Sequence, residues 1–279
     1  MSSSLYSLRR DIVEAGRRVY DRNFVASNDG NISARVDRRR VVITPSGVSK
    51  GFMAPEDLIV VDYEGNVLEG RKKPSSEVFM HLRIYKDRPD VNGVVHAHPP
   101  KATGFAVAGI PLTQCVLPEV IVSLGGIPLA EYGTPGTDEF YEPVLKYLQD
   151  YDAFLLQNHG ALTIGSDVMG AYYKMETLEH FAHIAFTAIQ LGNLGSIGKP
   201  DVQKLIDLRQ RFGIKTTVSC ESCSKSDTAA CCLPSDGATA GSCAIPGAGQ
   251  GGNGAKNAQD LDPQMLVESI TRAILKNLS

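Results

Sequence analysis

Residues 216–260 divide this chain unequally and limit what can fold. Of these 45 residues, 21 are glycine, serine or alanine, and only Val218, Leu233 and Ile245 are large and apolar. Such a segment cannot bury enough surface to offset the entropy of ordering it, so it reads as a disordered linker. The globular part is thereby confined to residues 1–215, close to the usual range of roughly 100–200 residues for one domain. Behind the linker, Asp262-Pro263 offers an N-cap and a proline at the first helical position. Leu266, Ile270, Ala273, Ile274 and Leu278 recur at helical spacing, which predicts a short amphipathic helix over 261–279. A helix this short is marginal alone in water, so its apolar stripe calls for a partner surface.

The cysteines follow the same division. Cys115 stands alone in the body, while Cys220, Cys223, Cys231, Cys232 and Cys243 crowd the linker. A disulfide framework would spread its cysteines through the fold, and a zinc knuckle needs a second well-spaced CxxC. The linker thiols are therefore expected to be reduced, with zinc or a redox disulfide at Cys220-x-x-Cys223 and Cys231-Cys232 as the alternative. With 28 Lys+Arg against 31 Asp+Glu, the net charge of −3 lacks the basic excess that nucleic-acid binding requires. No apolar run approaches the ~18 residues that span a bilayer, and residues 1–11 hold no apolar signal core. The expectation is a cytoplasmic protein without membrane or nucleic-acid partners.

In the body, Leu5, Leu8, Ile12, Ala15, Val19 and Tyr20 mark an amphipathic first helix. β-rich runs follow at 41–44, 58–62, 91–96, 153–157 and 161–164, with helical patterns at 76–86, 137–149, 168–191 and 201–212. Hairpins are expected at Glu64-Gly65 and His159-Gly160. This interleaving predicts a layered α/β domain around a mixed sheet.

The chemistry concentrates where a β-rich run delivers His96 and His98 two residues apart, just before Pro99 and Pro100. Period two puts both rings on one face, a bidentate seat for zinc. His159, after the run at 153–157, offers a third imidazole, and three histidines with one labile carboxylate match an open, catalytic zinc site. His81, His180 and His183 fall in helical patterns and read as residues of a packed or exposed helix face. Ser75-Ser76-Glu77 opens the helix at 76–86, where hydroxyls either cap the helix or bind an anion. Gly30-Asn31 and Ser46-Gly47 each join a polar side chain to a glycine that lets the backbone approach an oxyanion.

Taken in order, Ser27-Asn28-Asp29-Gly30-Asn31, Thr44-Pro45-Ser46-Gly47, Ser75-Ser76-Glu77, His96-Ala97-His98 and Gln157-Asn158-His159-Gly160 resemble the motifs of the class II sugar-phosphate aldolases. Over residues 5–212 the chain is similar to their fuculose-phosphate branch. The resemblance implies a three-layer α/β/α fold with a mixed, largely antiparallel central sheet, assembled as a homotetramer with active sites between subunits. By position it implies Zn²⁺ on His96, His98 and His159, with Glu77 as fourth ligand and catalytic base. It also implies a phosphate pocket of Gly30, Asn31, Ser46, Gly47, Ser75 and Ser76.

The implied reaction is cleavage of L-fuculose 1-phosphate, and also L-rhamnulose 1-phosphate, to dihydroxyacetone phosphate and L-lactaldehyde. Where that branch takes a tyrosine from the neighbouring subunit as proton donor, this sequence has Glu119. A carboxylic acid does the same work if a desolvated site raises its pKa. Relatives of this fold also dehydrate, epimerise or decarboxylate sugar phosphates, and the adducin head is a non-catalytic scaffold, so these stand as alternatives. The linker and final helix resemble the encapsulation peptides of bacterial microcompartment enzymes, which implies a shell protein as partner and the compartment lumen as location.

Overall fold

The computed structural model describes residues 4–134, 141–214 and 216–218. The predicted C-terminal helix and all but the start of the predicted linker lie outside these residues. Eight strands form one sheet: β1 (Asn31–Arg35), β2 (Arg40–Ile43), β3 (Ile59–Asp62), β4 (Val67–Glu69), β5 (Gly93–Ala97), β6 (Leu129–Ala130), β7 (Ala153–Leu156) and β8 (Gly160–Gly165). They run in the order β4-β3-β2-β1-β5-β8-β7-β6. All neighbours are antiparallel except β6 and β7, so the sheet is mixed and largely antiparallel, as expected.

The central strands are buried on both faces, which is why they read as continuous apolar runs rather than as alternating ones. On β5, Val94 packs into one core with Val41, Ile43, Phe154 and Leu162. Val95 and Ala97 point the other way, into a second core with Ile32, Val42 and Ala161. Two helical layers close these faces. The helices α1 (Leu5–Asp21), α3 (Pro100–Val107) and α6 (Val168–Gln190) cover the second core with Ile12, Phe105, Met175 and Leu178. The first core is covered by α2 (Val78–Asp87) with Met80, Ile84 and Tyr85, and by Val144 of α5 (Glu142–Leu145). The result is the three-layer α/β/α arrangement.

The stripe predicted for α1 is the buried one: Leu8, Ile12, Ala15 and Val19 face inward, and the Ser4 side chain accepts from the Ser7 N–H at the helix start. The prolines behind His98 do more than end β5. Pro100 is the first residue of α3, whose leading N–H groups at Lys101 and Ala102 donate to the Glu179 carboxylate at 3.0 and 2.8 Å. Pro118 likewise opens α4 (Pro118–Ser123). Of the helix predicted over 137–149, residues 137–140 lie outside the described residues, and across 141–149 only α5 is helical. β1 was not predicted, because Asn31, Ser33 and Arg35 make its alternation with Ile32 and Ala34 look like a polar loop.

A third, smaller cluster joins α4 to α7 (Lys199–Arg211) through Cys115, Ile121, Val202, Ile206 and Val218. Buried Arg209 reinforces it by donating to the carbonyls of Ile121 (3.3 Å), Val122 (2.5 Å) and Thr216 (3.2 Å). Cys115 is disulfide-bonded. The linker cysteines all lie outside the described residues. Among the described residues no helix is long and apolar enough to cross a membrane.

Candidate metal centre

The site forms where β5, β1, the β7–β8 turn and the start of α2 meet. β5 pairs with β8 so that His96 lies opposite Leu162, and with β1 so that His96 lies opposite Asn31. His159 sits in the turn after Asn158, which adopts the left-handed region at φ 56°. The next residue has to be glycine. A Cβ on Gly160 would lie 2.6 Å from both Ala97 O and His98 Cδ2, and 3.3 Å from His96 Cε1.

The imidazole of His96 donates from Nδ1 to Ala161 O at 2.9 Å, which fixes the tautomer and leaves the Nε2 lone pair facing outward from the strand. His98 Nε2 lies 3.1 Å from that atom and His159 Nε2 lies 3.0 Å from it. Burial pushes His96 down to about 3 and holds His98 below its ordinary value, so both rings are neutral, the form that binds a metal. Four ligands at ~2.0–2.1 Å around a tetrahedral zinc ion stand about 3.3 Å apart, close to the separations found here. One donor atom from each of His96, His98 and His159 can be chosen so that all lie within 4.8 Å of one another. The donor set therefore fits a divalent metal.

Glu77 occupies the N-cap position of α2, yet its side chain caps nothing. Its carboxylate is turned to the histidines, Oε2 at 3.3 Å from His96 Nε2 and Oε1 at 3.1 Å from His159 Nε2. Burial by itself would raise this carboxyl. The adjacent His96 and His159 rings and the hydrogen bond from Asn31 outweigh it and hold Glu77 well below the usual carboxylate range.

Behind Glu77 runs a buried chain whose direction follows from one premise, that the carboxylate only accepts. Asn31 then donates Nδ2–H to Glu77 Oε2 at 2.7 Å, which leaves Asn31 Oδ1 as the acceptor toward His81 Nε2 at 2.5 Å. His81 therefore carries its proton on Nε2, and its bare Nδ1 accepts from Ser33 Oγ at 2.6 Å. Ser33 in turn accepts from the Tyr85 hydroxyl at 2.8 Å.

Of the residues singled out in the sequence, the structure unites His96, His98, His159, Glu77 and Asn31. It also stitches residues 44–47 to 73–75: Ser46 N donates to Lys73 O (2.9 Å), Ser75 N to Thr44 O (3.2 Å), and Pro45 bridges Pro74. Ser75 is buried and its Oγ accepts from the Glu77 N–H, whereas Ser46, Gly47 and Ser76 are exposed. Gly30, at φ 73°, precedes Asn31, and Ile32 N donates to Thr44 Oγ1 at 3.2 Å, so the three segments adjoin. Glu119 is not among them. It is exposed in the first turn of α4 and makes no hydrogen bond or ion pair with the histidines or Glu77 among the described residues.

His81 is the packed helix residue expected, but its link to Glu77 through Asn31, and the roles of Ser33 and Tyr85, were missed. The signal existed: Glu77, His81 and Tyr85 recur at i, i+4 and i+8 on one helix face, and Asn31 and Ser33 at i and i+2 on one strand face.

A family profile, the Class II Aldolase and Adducin N-terminal domain, matches residues 10–186. The chain belongs to this family. A relative from Methanococcus maripaludis described as L-fuculose phosphate aldolase is 36% identical over 176 residues, 63% of this chain and 94% of its own. One from Haemophilus influenzae, described as 3-oxo-tetronate 4-phosphate decarboxylase, is 35% identical over 184 residues, 63% of this chain and 85% of its own. A solved L-fuculose 1-phosphate aldolase superposes with a TM-score of 0.68 at 30% identity, over 76% of this class II aldolase and 98% of the solved chain. As a member of that class the protein is a carbon–carbon lyase.

Proposed function

We propose that this aldolase is zinc-dependent and cleaves L-fuculose 1-phosphate, and also L-rhamnulose 1-phosphate, between C3 and C4 to dihydroxyacetone phosphate and L-lactaldehyde. The observation that carries the reading is the convergence of three imidazoles and the Glu77 carboxylate beside the adjoining segments at 30–31, 44–47 and 73–76. His96, His98 and His159 hold Zn²⁺ in this reading, with Glu77 as fourth ligand. Bound there, the ion supplies Lewis acidity that stabilises the negative charge left on the three-carbon fragment. Gly30, Asn31, Ser46, Gly47, Ser75 and Ser76 bind the phosphate and so place C3 against Glu77, which moves the proton at that carbon through a carboxylate oxygen.

Glu119 protonates the departing aldehyde oxygen from a neighbouring copy in a homotetramer, which agrees with its exposure and with its making no hydrogen bond or ion pair to His96, His98, His159 or Glu77 among the described residues. The tail reading, a helix over 261–279 that docks a microcompartment shell protein, rests on helical spacing and on the resemblance to encapsulation peptides, and concerns residues outside those described.

The glutamate at 119 and the decarboxylase relative both favour one second reading, a decarboxylase, dehydratase or epimerase on the same centre. A coupled assay for dihydroxyacetone phosphate, run with elemental analysis of the purified protein, separates the two. The expected result is one zinc per chain and product from L-fuculose 1-phosphate, with a Glu77→Gln protein inactive. Absence of dihydroxyacetone phosphate from zinc-loaded protein sinks the aldolase substrate assignment.

A further inference from the structure

Lys50 is 2% exposed and is the only buried lysine among the described residues. It begins the short 3-10 turn Lys50–Phe52, and its Nζ donates to Asn28 O and to Val48 O, each at 2.8 Å. These carbonyls belong to the two loops that meet at the phosphate pocket: Asn28 precedes Gly30 and Asn31, and Val48 follows Ser46 and Gly47. One ammonium thus ties both loops together. Its acceptors are neutral and no carboxylate pairs with it among the described residues; Asp29 and Glu77 act on it only through space.

A buried cation without an ion pair is a costly arrangement that an anionic ligand relieves. Burial accordingly pulls Lys50 down to about 8, against the upward pull of Asp29 and Glu77. The six pocket residues are all uncharged, whereas a phosphate monoester brings about −1.5 to −2 charges near neutral pH.

We propose that Lys50 is a positioning residue for the substrate's phosphate. It holds the two loops at one separation and fixes a positive charge behind them, in a region where charge is felt more strongly than in water. The pocket then favours a dianion over a neutral group. This rests on the sugar-phosphate reading above.

The test uses the full-length, zinc-loaded protein with inorganic phosphate as probe. Two variants, Lys50→Met and Lys50→Gln, both remove the charge, and the second keeps N–H donors for the loop carbonyls. Calorimetric titration is expected to show phosphate binding about 10–100-fold weaker in both. In cleavage assays KM for the phosphorylated ketose rises by about the same factor while kcat falls less than about threefold, and KM for the unphosphorylated ketose stays put. Wild-type phosphate affinity in either variant, once its melting curve shows it folded, overturns the proposal. So does an equal loss against the unphosphorylated ketose. A wild type that binds phosphate but cleaves no sugar phosphate overturns the functional reading instead, and the titration still decides the role of Lys50.

Discussion

His81 and His96 are buried to almost the same degree, 0% and 2% exposed, and burial lowers both imidazoles, to about 4 and about 3. Their surroundings differ in one respect. His81 has a hydrogen-bond partner on each ring nitrogen, Asn31 on one and Ser33 on the other. His96 has Ala161 O on Nδ1, while its Nε2 faces two further imidazoles and a carboxylate. Acceptor lone pairs gathered in a buried spot cost free energy unless something binds them all, and a cation does. Burial and pKa therefore do not separate a ligand from a packed histidine. The ring nitrogen left over separates them.

Breaking the ligand side should have the largest effect. His96→Ala removes the imidazole that the other two face, so bound metal should fall to near zero and kcat by more than about 10²-fold, measured by elemental analysis and the product assay. Metal at wild-type stoichiometry in that variant would refute the ligand assignment.

Gly160→Ala should come next, because its Cβ collides with Ala97 O and the His98 ring while leaving every ligand in place. Metal affinity is expected to drop about 10–100-fold, the range typical of groups that orient ligands, as read by competition with a chelator.

The smallest effect on the metal belongs to the satisfied side. His81→Ala should keep the metal and lower stability by roughly 2–4 kcal/mol, since Asn31 and Ser33 lose their partner in a buried place. It should also change the pH dependence of unfolding. His81 titrates at about 4 when folded and about 6.5 when unfolded, so between these values the unfolded chain holds more protons. The contribution is complete above pH ~6.5 and disappears as pH falls toward 4, at most about 3 kcal/mol. Denaturant unfolding across this window should show the wild type losing stability faster than the variant as pH falls. Parallel curves would mean that His81 is not held neutral.

Much of the fold was legible because local periodicity encodes it. The stripe of α1, the runs that became β2, β3, β7 and β8, and the histidine pair at the end of β5 are visible as repeats of 3.6 or two residues. β1 was not, since a strand that carries Asn31 and Ser33 on one face looks like a loop until α2 supplies partners for them. α3 and α4 escaped because a proline that ends one element can be the first residue of the next.

The amino-acid sequence by itself determined which side chains were available for this chemistry, and that His96 and His98 would share a face, because period two along a strand is a local property. The tertiary structure alone decided that His159, 63 residues away, would bring its Nε2 within 3.0 Å of His96. It also decided that Asn31 and His81, 50 residues apart, would join behind Glu77. The physical reason is that strand register and the seating of α2 on the sheet are set by apolar packing over the whole domain. The polar groups meet where that packing carries them.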